Sequence, residues 1–256
     1  MQLLLDIMSL PDEMKSSFDT LEKLYTGLGD LRSDFRNYNL VNKLTEFFKP
    51  GSILDIGCGS GYLLNLLSRQ KNFECYGIEP NIRMEKILSQ INPSIRIYSM
   101  WAEEMDTLEN SFDNISMIDV LEHIKNDSTQ LIKIHNKLHN KGRLIIVVPA
   151  HKILFGKRDK DLGHYRRYSK SELISKLNDS GFRVVKIRYW NALGFFPYFI
   201  FERILKKKLD TSLRESDSGI ISKKILSKMM HLWFKYIENS FSFGFGLSLL
   251  VVAEKM

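Results

Sequence analysis

The stretch SILDIGCGSGYLLNLL, residues 52–67, joins two patterns of secondary structure through a glycine-rich turn. Its first five residues are mostly apolar and β-prone, which predicts a buried strand, and its leucine-rich end predicts the start of a helix. Gly57, Gly59 and Gly61 lie between the two patterns. Glycine permits positive φ there and lets backbone N–H groups approach a ligand closely. A strand, a glycine turn and a helix N-terminus form a ligand site in many doubly wound sheets.

The spacing of the glycines and one nearby acid distinguish between ligand classes. The dinucleotide fingerprint is G-x-G-x-x-G, whereas this turn has the spacing G-x-G-x-G. Asp55 lies two residues before the first glycine. Its carboxylate would repel a pyrophosphate and attract an amino group or another cation. The turn is therefore expected to hold a ligand that is positive where a dinucleotide is negative, and a turn without any ligand is the alternative.

This combination resembles the first motif of the class I S-adenosylmethionine-dependent methyltransferases, whose ligand is a sulfonium with an α-amino group. The resemblance implies S-adenosylmethionine as the cofactor. It also implies cofactor contacts for residues in and beside the turn, namely Asp55, Gly57, Cys58, Gly59, Gly61 and Tyr62.

The remaining sequence predicts an α/β fold with one sizeable core, since 44% of the 256 residues are hydrophobic. Strand and helix patterns alternate, which predicts a mostly parallel sheet with helices on both faces. The predicted strands are residues 52–56, 74–79, 95–99, 113–118, 143–149, 183–190 and 247–254. The predicted helices are residues 13–26, 33–49, 61–70, 81–90, 127–139 and 170–180. The resemblance implies the same Rossmann-like, seven-stranded architecture, with the last strand antiparallel.

A single methyltransferase domain is expected over residues 1–256, with an N-terminal helical segment at 1–50 and a basic helical insertion at 192–242. The sequence has no basic leader and no run of about 18 uncharged apolar residues, so neither a signal peptide nor a transmembrane helix is expected. Cys58 and Cys75 both fall in predicted core elements and suggest no disulfide framework. We expect a cytoplasmic protein, with peripheral contact to a membrane as an alternative.

Two later segments match further cofactor motifs of the family. Glu79, followed by Pro80, ends the second predicted strand, where the family places an acid that accepts both hydroxyls of a ribose. After the third strand the family places an acid or amide at the adenine amino group, and Ala102-Glu103 fits that pattern. Trp101 is expected to lie against the adenine face. An ordinary surface role for Glu79 and a core role for Trp101 are the alternatives.

The stretch FDNISMIDVLEHI, residues 112–124, contains the fourth predicted strand and its exit. Ligands of open α/β sheets bind beyond the carboxyl ends of the strands, where Asp119, Glu122 and His123 lie. The stretch resembles a segment common in methyltransferases that act on small molecules. Asp119 is expected to contact the cofactor, and Glu122 and His123 to act as base and proton relay. These three residues would also suit a divalent metal, as in quinol O-methyltransferases that look similar, and a further alternative is that Glu122 and His123 only shape the cofactor pocket. No metal is expected.

The stretch VPAHKILFGKRDKDLGHYRRYSKSEL, residues 148–173, follows the fifth strand and overhangs the same edge of the sheet. This lid segment collects five chemistry-bearing side chains within ten residues: Asp159, His164, Arg166, Arg167 and Tyr168. His164 is a candidate catalytic base near neutral pH, and the other four are candidates for binding the acceptor, because arginine forks recognise carboxylate or phosphate. The segment is similar to a subgroup of methyltransferases found near surface-glycan and lipid-linked pathways. The alternative is a loop whose charged residues pair with one another.

The excess of positive charge lies before the last predicted strand. The chain has a net charge of +7, and residues 183–238 hold twelve lysines and arginines against five acids. Residues 192–208 run from apolar and aromatic to basic, and a second amphipathic stretch follows at 220–237. A membrane surface, an acceptor-binding cap, a dimer contact and a plain helical cap are the interpretations. Nucleic acid is not expected, because DVLE stands where base-modifying methyltransferases carry an Asn/Asp-Pro-Pro-aromatic motif.

The sequence therefore predicts methyl transfer from S-adenosylmethionine to an oxygen of a small-molecule, sugar or lipid-linked acceptor. Such transfer is an in-line displacement, so the enzyme mainly aligns the acceptor and excludes water. Two other classes stay open. One is an NAD-dependent oxidoreductase or epimerase, although its glycine spacing and its Tyr-x-x-x-Lys pair are missing. The other is a scaffold that binds the cofactor or a partner without turnover.

Overall fold

The computed structural model describes residues 35–81, 88, 92–205 and 221–256. The helix predicted at 13–26 and most of the helix predicted at 81–90 lie outside these residues. The predicted extent of the domain over the whole chain stays a prediction.

Seven described strands form one sheet in the order β3-β2-β1-β4-β5-β7-β6. They are β1 (Gly51–Ile56), β2 (Phe73–Ile78), β3 (Arg96–Tyr98), β4 (Phe112–Ile118), β5 (Leu138–Pro149), β6 (Phe182–Trp190) and β7 (Ser248–Lys255). The first five strands pair in parallel, and β7 runs antiparallel between β5 and β6. The predicted Rossmann-like fold class, its seven strands and its antiparallel last strand are confirmed.

The helices surround this sheet. They are α1 (Phe35–Leu44), α2 (Tyr62–Ser68), α3 (Asp127–Lys137), α4 (Lys157–Asp161), α5 (Lys170–Asp179), α6 (Ala192–Tyr198) and α7 (Ile221–Leu232). The helix predicted at 33–49 ends earlier, at Leu44, and a 3-10 turn follows it at Thr45–Phe47. Strand β5 begins five residues earlier than predicted, because Leu138 already pairs with Phe112 of β4.

The hydrophobic core has two parts, one on each face of the sheet. Strand β5 supplies both, since successive side chains of a strand point to opposite faces. Leu144, Ile146 and Val148 belong to the part packed against α3 and α5, whereas Ile145 and Val147 belong to the part packed against α1 and α2. All five side chains are fully buried, as in parallel strands covered on both faces.

The insertion between β6 and β7 is helical where it is described. Helix α6 continues into a π-helical turn at Phe199–Ile204, and α7 continues into another at Trp233–Glu238. The indole of Trp190 donates a hydrogen bond of 3.0 Å to Oδ1 of Asn239, and Arg188 donates one of 2.6 Å to the carbonyl of Phe241. These bonds fasten the end of the insertion to β6. No helix in the described part of the chain is both long and apolar enough to cross a bilayer.

Candidate active site

The glycine-rich turn lies at the carboxyl edge of the sheet, directly after β1. Gly57, Gly59 and Gly61 have φ values of 70°, 50° and 65°, a region that favours glycine. A Cβ atom on Gly57 would also lie only 2.5 Å from Cγ2 of Val120. The turn after β1 therefore packs directly against the exit of β4, and the conformation predicted from the three glycines is present.

A cavity of about 100 Å³ lies beside this turn. Six of the residues predicted to bind the cofactor line it, namely Asp55, Gly57, Cys58, Gly59, Tyr62 and Asp119. Asn37 and Leu40 of α1 line it too. The sequence gives no sign that these two residues belong to the site, because a helical pattern does not indicate which of its side chains reach a distant turn.

The buried carboxyl group of Asp55 lies at the end of β1. Its Oδ1 accepts a hydrogen bond of 2.7 Å from the hydroxyl of Ser116 on β4. Burial raises the pKa of Asp55 to about 7, although the bond from Ser116 opposes this and the charge of Glu79 adds to it. A cationic group in the cavity would favour the carboxylate, so the site is suited to a positively charged ligand.

Glu79 follows β2, and its carboxylate accepts hydrogen bonds from the glycine turn and from the backbone two residues further on. Its Oε2 accepts a hydrogen bond of 2.9 Å from the N–H of Gly59, and its Oε1 accepts one of 3.0 Å from Asn81. Glu79 is only 8% exposed, which excludes the ordinary surface role, and burial raises its pKa. Each carboxylate oxygen has a further lone pair that could accept from a ribose hydroxyl. Pro80, next to it, is half-buried.

The predicted adenine site follows β3 in a 3-10 turn, Ala102–Thr107. Ala102 is buried, Glu103 is exposed and Trp101 is half-buried. The backbone N–H of Trp101 donates a hydrogen bond of 2.7 Å to Oε2 of Glu104. Among the described residues that line the cavity, none comes from this turn. The adenine contacts of Trp101, Ala102 and Glu103 therefore stay predictions.

Asp119 bends the chain where β4 ends. Its φ is 54°, a conformation that non-glycine residues adopt rarely and that often marks a functional site. Its carboxylate lies 3.5 Å from Nη1 of Arg36 on α1. Because Asp119 also lines the cavity, this ion pair joins α1 to the cofactor side of the site. No pattern in the sequence predicts that Arg36 pairs with Asp119.

The three predicted catalytic residues come together just beyond this bend. Nε2 of His164 lies 4.0 Å from Oε1 of Glu122, and the rings of His123 and His164 meet edge to face with centroids 4.6 Å apart. Glu122 is almost fully buried, and within the described part of the chain neither of its carboxyl oxygens has a hydrogen-bond partner. Burial, and then the charge of Asp119, raise its pKa well above the usual value. An unpartnered buried carboxyl of this kind is a candidate for substrate contact.

Hydrogen bonds fix the two imidazoles of this cluster. Nδ1 of His164 lies 3.0 Å from Oδ1 of Asp159, so a neutral ring carries its proton on Nδ1 and presents the lone pair of Nε2 to Glu122. Burial and the neighbouring His164 lower the pKa of His123 to about 3, despite its bond to the backbone of Gly163. His123 is therefore neutral, and the geometry suits His164 as the group that accepts a proton.

Glu122, His123 and His164 also form a candidate metal site. Each offers one ligand atom, and these atoms lie within 4.8 Å of one another. Two imidazoles and one carboxylate are a donor set that zinc and iron accept. This set differs from the one considered in the sequence, because the lid segment supplies His164 whereas Asp119 pairs with Arg36. The expectation of no metal stays a prediction.

Arg167, a predicted acceptor-binding residue, is buried and bonded within the protein. Its Nε donates to Oδ1 of Asp159 at 2.8 Å, Nη2 donates to the hydroxyl of Tyr198 at 2.5 Å, and Nη1 donates to the carbonyl of Ala150 at 3.3 Å. Burial opposes ionisation of Asp159, but its bonds with His164 and Arg167 hold its pKa below the usual value. This pairing favours the alternative in which the charged residues of the lid segment fasten it.

Arg166 and Tyr168 share one partner, the buried Asp127 of α3. Nη1 of Arg166 lies 2.9 Å from Oδ2 of Asp127, and the hydroxyl of the fully buried Tyr168 donates to the same oxygen at 2.9 Å. Arg166 and Arg167 nevertheless line a second cavity, of about 350 Å³, on the lid segment. An acceptor contact of the arginines stays a prediction, whereas Tyr168 packs in the core.

Comparison with known proteins supplies the family context. A family model described as "Methyltransferase domain" matches residues 32–187. The tRNA U34 carboxymethyltransferase of Aliivibrio fischeri strain MJ11 is 30% identical over 121 residues, and that of Vibrio cholerae strain O395 is 27% identical over 121 residues. Each match covers 45% of this chain and 37% of the relative, so it spans little more than a third of the relative's length.

Solved structures share this fold. A protein from Thermotoga maritima, described as a possible histamine N-methyltransferase, has a TM-score of 0.62 at 15% identity and covers 94% of this chain and 99% of its own. A methyltransferase from Archaeoglobus fulgidus has a TM-score of 0.58 at 19% identity, and the match covers 93% of this chain and 99% of that protein. Coclaurine N-methyltransferase, solved with N-methylheliamine and S-adenosylhomocysteine, has a TM-score of 0.56 at 17% identity. This match covers 85% of this chain and 71% of that protein.

Proposed function

The chain belongs to the class I S-adenosylmethionine-dependent methyltransferase family, and from this premise we propose that it transfers a methyl group to an oxygen atom of a small-molecule, sugar or lipid-linked acceptor. One arrangement carries the proposal. Asp119 lines the cavity beside Asp55, and Glu122, the first residue of the cluster with His123 and His164, follows Asp119 by three positions along the chain. A cofactor in the cavity would therefore have a proton acceptor close to its methyl group.

The charges around the cavity support a cationic cofactor. S-adenosylmethionine carries an α-amino group and a sulfonium, and Asp55 supplies the buried carboxyl that would pair with the amino group. Glu79, fastened to the N–H of Gly59, would accept the ribose hydroxyls. A pyrophosphate would meet two acids, which argues against the dinucleotide-dependent alternative.

The cluster supports an oxygen acceptor. In the proposed step the acceptor oxygen would bond to the methyl carbon as the carbon–sulfur bond of the sulfonium breaks, and the sulfur would leave as the neutral thioether of S-adenosylhomocysteine. Nε2 of His164 takes the hydroxyl proton, and Asp159 holds the imidazole in the tautomer that this requires. Glu122 would orient the hydroxyl or the developing imidazolium. The burial of these groups would exclude water from the transfer.

Binding and turnover test the proposal separately. In calorimetry of the full chain, S-adenosylmethionine and S-adenosylhomocysteine should bind, whereas NAD and NADP should give no heat. A tritiated methyl group should then appear in a hydroxylated glycan or lipid-linked fraction of a cell extract. Cofactor binding without transfer to any fraction would favour the scaffold alternative, and NAD binding without a response to S-adenosylmethionine would overturn the cofactor assignment.

A tRNA acceptor is the second candidate. The likeness to tRNA U34 carboxymethyltransferases covers 121 residues, and residues 183–238 carry the excess positive charge that phosphate binding requires. The sequence-based expectation against nucleic acid therefore lacks support. Transfer of label into purified tRNA, with an affinity that falls steeply as salt rises, would favour this candidate over the glycan or lipid fraction.

A further inference from the structure

The insertion exposes apolar side chains to an unusual extent. Of the 16 large hydrophobic residues that are exposed in the described part of the chain, 11 lie between Phe196 and Phe241. Scattered exposed hydrophobic residues are normal, but a contiguous group of this kind marks an interaction site.

Helix α6 and its π-helical turn carry the first part of this surface. Phe196, Ile200 and Ile204 recur every four residues and are 57%, 44% and 61% exposed. This spacing places them on one side of the helix. Tyr198 and Glu202, at intervening positions, are buried instead. The helix therefore packs on the domain with one side and presents an apolar side outward.

Helix α7 repeats the arrangement. Ile225, Met229, Leu232 and Tyr236 follow a spacing of four, three and four residues, and their exposed fractions run from 43% to 62%. Phe234, on the opposite side, is 1% exposed. A second apolar stripe thus faces outward along α7 and its π-helical turn.

Aromatic contacts join the two stripes. The ring of Phe245 lies 5.3 Å from that of Phe196 on α6, and 6.3 Å from that of Phe243. Phe243 in turn stacks with Trp233 after α7, at 6.0 Å. Phe241, in the same loop, is 62% exposed. The two stripes and residues 241–245 therefore form one surface, the aromatic face.

The charges around the aromatic face identify its partner. Arg203, Lys228 and Lys235 are exposed on the same two helical segments, and Nζ of Lys235 lies 5.0 Å from the ring centre of Tyr236. Residues 183–238 carry a net positive charge in the sequence. Lysine is depleted from the core of protein–protein interfaces, whereas aromatic residues with fringing cations are typical of helices that lie in an anionic lipid surface.

We propose that the aromatic face docks on the surface of a bilayer that contains anionic lipids. Its apolar side chains enter the headgroup boundary, and the lysines and arginines stay at the phosphate level. The face also connects to the candidate active site, since Nη1 of Arg203 donates to the carbonyl of Phe155 and Tyr198 accepts from Arg167 in the lid segment. Docking itself is independent of the proposed methyl transfer, because it uses residues outside that site.

Vesicle sedimentation of the full chain tests this proposal. The protein should sediment with vesicles of phosphatidylglycerol and phosphatidylcholine, much less with phosphatidylcholine alone, and less at high salt. A triple variant, Phe196→Ser, Ile200→Ser and Ile204→Ser, should lose at least about tenfold in vesicle affinity. Because these side chains are exposed, its thermal midpoint and its S-adenosylhomocysteine affinity should match the parent.

Matched controls separate docking from general stickiness and from self-association. Ile132→Ser and Val185→Ser remove side chains of similar exposure outside the insertion and should leave sedimentation unchanged. Lys228→Glu with Lys235→Glu should weaken binding to the anionic vesicles only. Sedimentation that is absent, or equal in the triple variant, would overturn the proposal. The proposal would also be overturned if the parent protein forms a dimer that the triple variant does not form, and neither protein binds vesicles.

Discussion

The Ser116 hydroxyl and the Asp55 carboxyl are bonded at 2.7 Å as register partners on the neighbouring parallel strands β4 and β1. This bond favours the charged carboxylate, yet burial outweighs it and raises the pKa of Asp55 to about 7. An unfolded aspartate ionises near pH 3.8. The folded, cofactor-free protein therefore retains a proton on Asp55 over a pH range in which the unfolded chain has lost it.

This difference predicts how stability depends on pH. Because the folded protein binds the extra proton, the contribution of Asp55 to stability falls as the pH rises from about 4 to about 7. Asp55→Asn removes the ionisation and should raise the thermal midpoint of the cofactor-free protein at about pH 7.5, with little effect near pH 4. Calorimetric scans of both proteins across that range measure the difference. Parallel pH profiles would contradict the prediction.

Cofactor binding should show the opposite dependence. The carboxylate, and not the acid, pairs with the amino group of S-adenosylmethionine, so binding should release a proton and tighten between about pH 5.5 and pH 7.5. Titration calorimetry in two buffers of different ionisation enthalpy measures the released proton. In Asp55→Asn the affinity should be weak and nearly independent of pH over this interval.

Glu79 should contribute to cofactor affinity more than to the fold. Glu79→Gln removes the charge that would hold two ribose hydroxyls, which should weaken binding of S-adenosylhomocysteine by about 1–3 kcal/mol, or about 5- to 150-fold in Kd. The matched control is Glu74→Gln on β2, the strand that Glu79 follows, because Glu74 is exposed and accepts a hydrogen bond from Tyr76. Equal affinities of the two variants would remove Glu79 from the cofactor site.

His164 should affect turnover and spare cofactor binding. His164→Ala removes the proposed base, so kcat should fall about 10²- to 10⁴-fold, while S-adenosylhomocysteine binds nearly as in the parent. His139→Ala, at an exposed position of β5, serves as the control. If His164→Ala loses thermal stability and cofactor affinity together, with normal activity in the folded fraction, the residue only fastens the lid segment.

Arg167 should act on stability. Its substitution by alanine leaves Asp159 buried without its ion pair, and breaking such a pair costs about 3–5 kcal/mol. Urea unfolding of Arg167→Ala should show this loss, whereas the more exposed Arg166→Ala should lose less. A raised KM with unchanged unfolding would instead assign Arg167 to acceptor binding, as its sequence context indicates.

The cluster of Glu122, His123 and His164 should work without a metal. We expect a strong chelator to leave methyl transfer unchanged, because His164 is already held by Asp159 and a general base requires no ion. Elemental analysis of untagged protein provides the independent measurement. One zinc or iron atom per chain, with activity that the chelator abolishes, would assign the cluster to metal binding.

Six of the residues predicted for the cofactor side line one cavity in the structure, and the sequence signals that point to them are local. A strand, three glycines and Asp55 follow one another directly, and Glu79 ends the next strand. The residues that it missed come from distant elements: Arg36 and Asn37 reach the site from α1. Helical periodicity predicts that α1 exists, but not which loop its polar side chains contact.

In the lid segment too, contacts with distant elements could not be predicted from the sequence. Its density of charged residues led to the prediction that Asp159 and Arg167 bind the acceptor, with pairing between charged residues of the loop as the alternative, and the structure pairs these two residues with each other. Tyr198, the third member of that network, lies on α6, beyond an intervening strand. A tertiary contact of this kind decides whether an arginine is free for substrate, and no local pattern records it.

Strand β6 pairs in the described sheet with β7 and not with β5, although β5 precedes it in the chain. During synthesis β6 therefore leaves the ribosome before its partner exists, and the helical insertion has to be made in between. At about 5–20 residues per second, the stretch from Trp190 to Lys255 takes about 3 to 13 s. Until then the edges of β5 and β6 are open to strands of other nascent chains. Crowding on a polysome, or a ribosome that stalls within the insertion, should therefore reduce the yield of folded protein more than the same delay earlier in the chain.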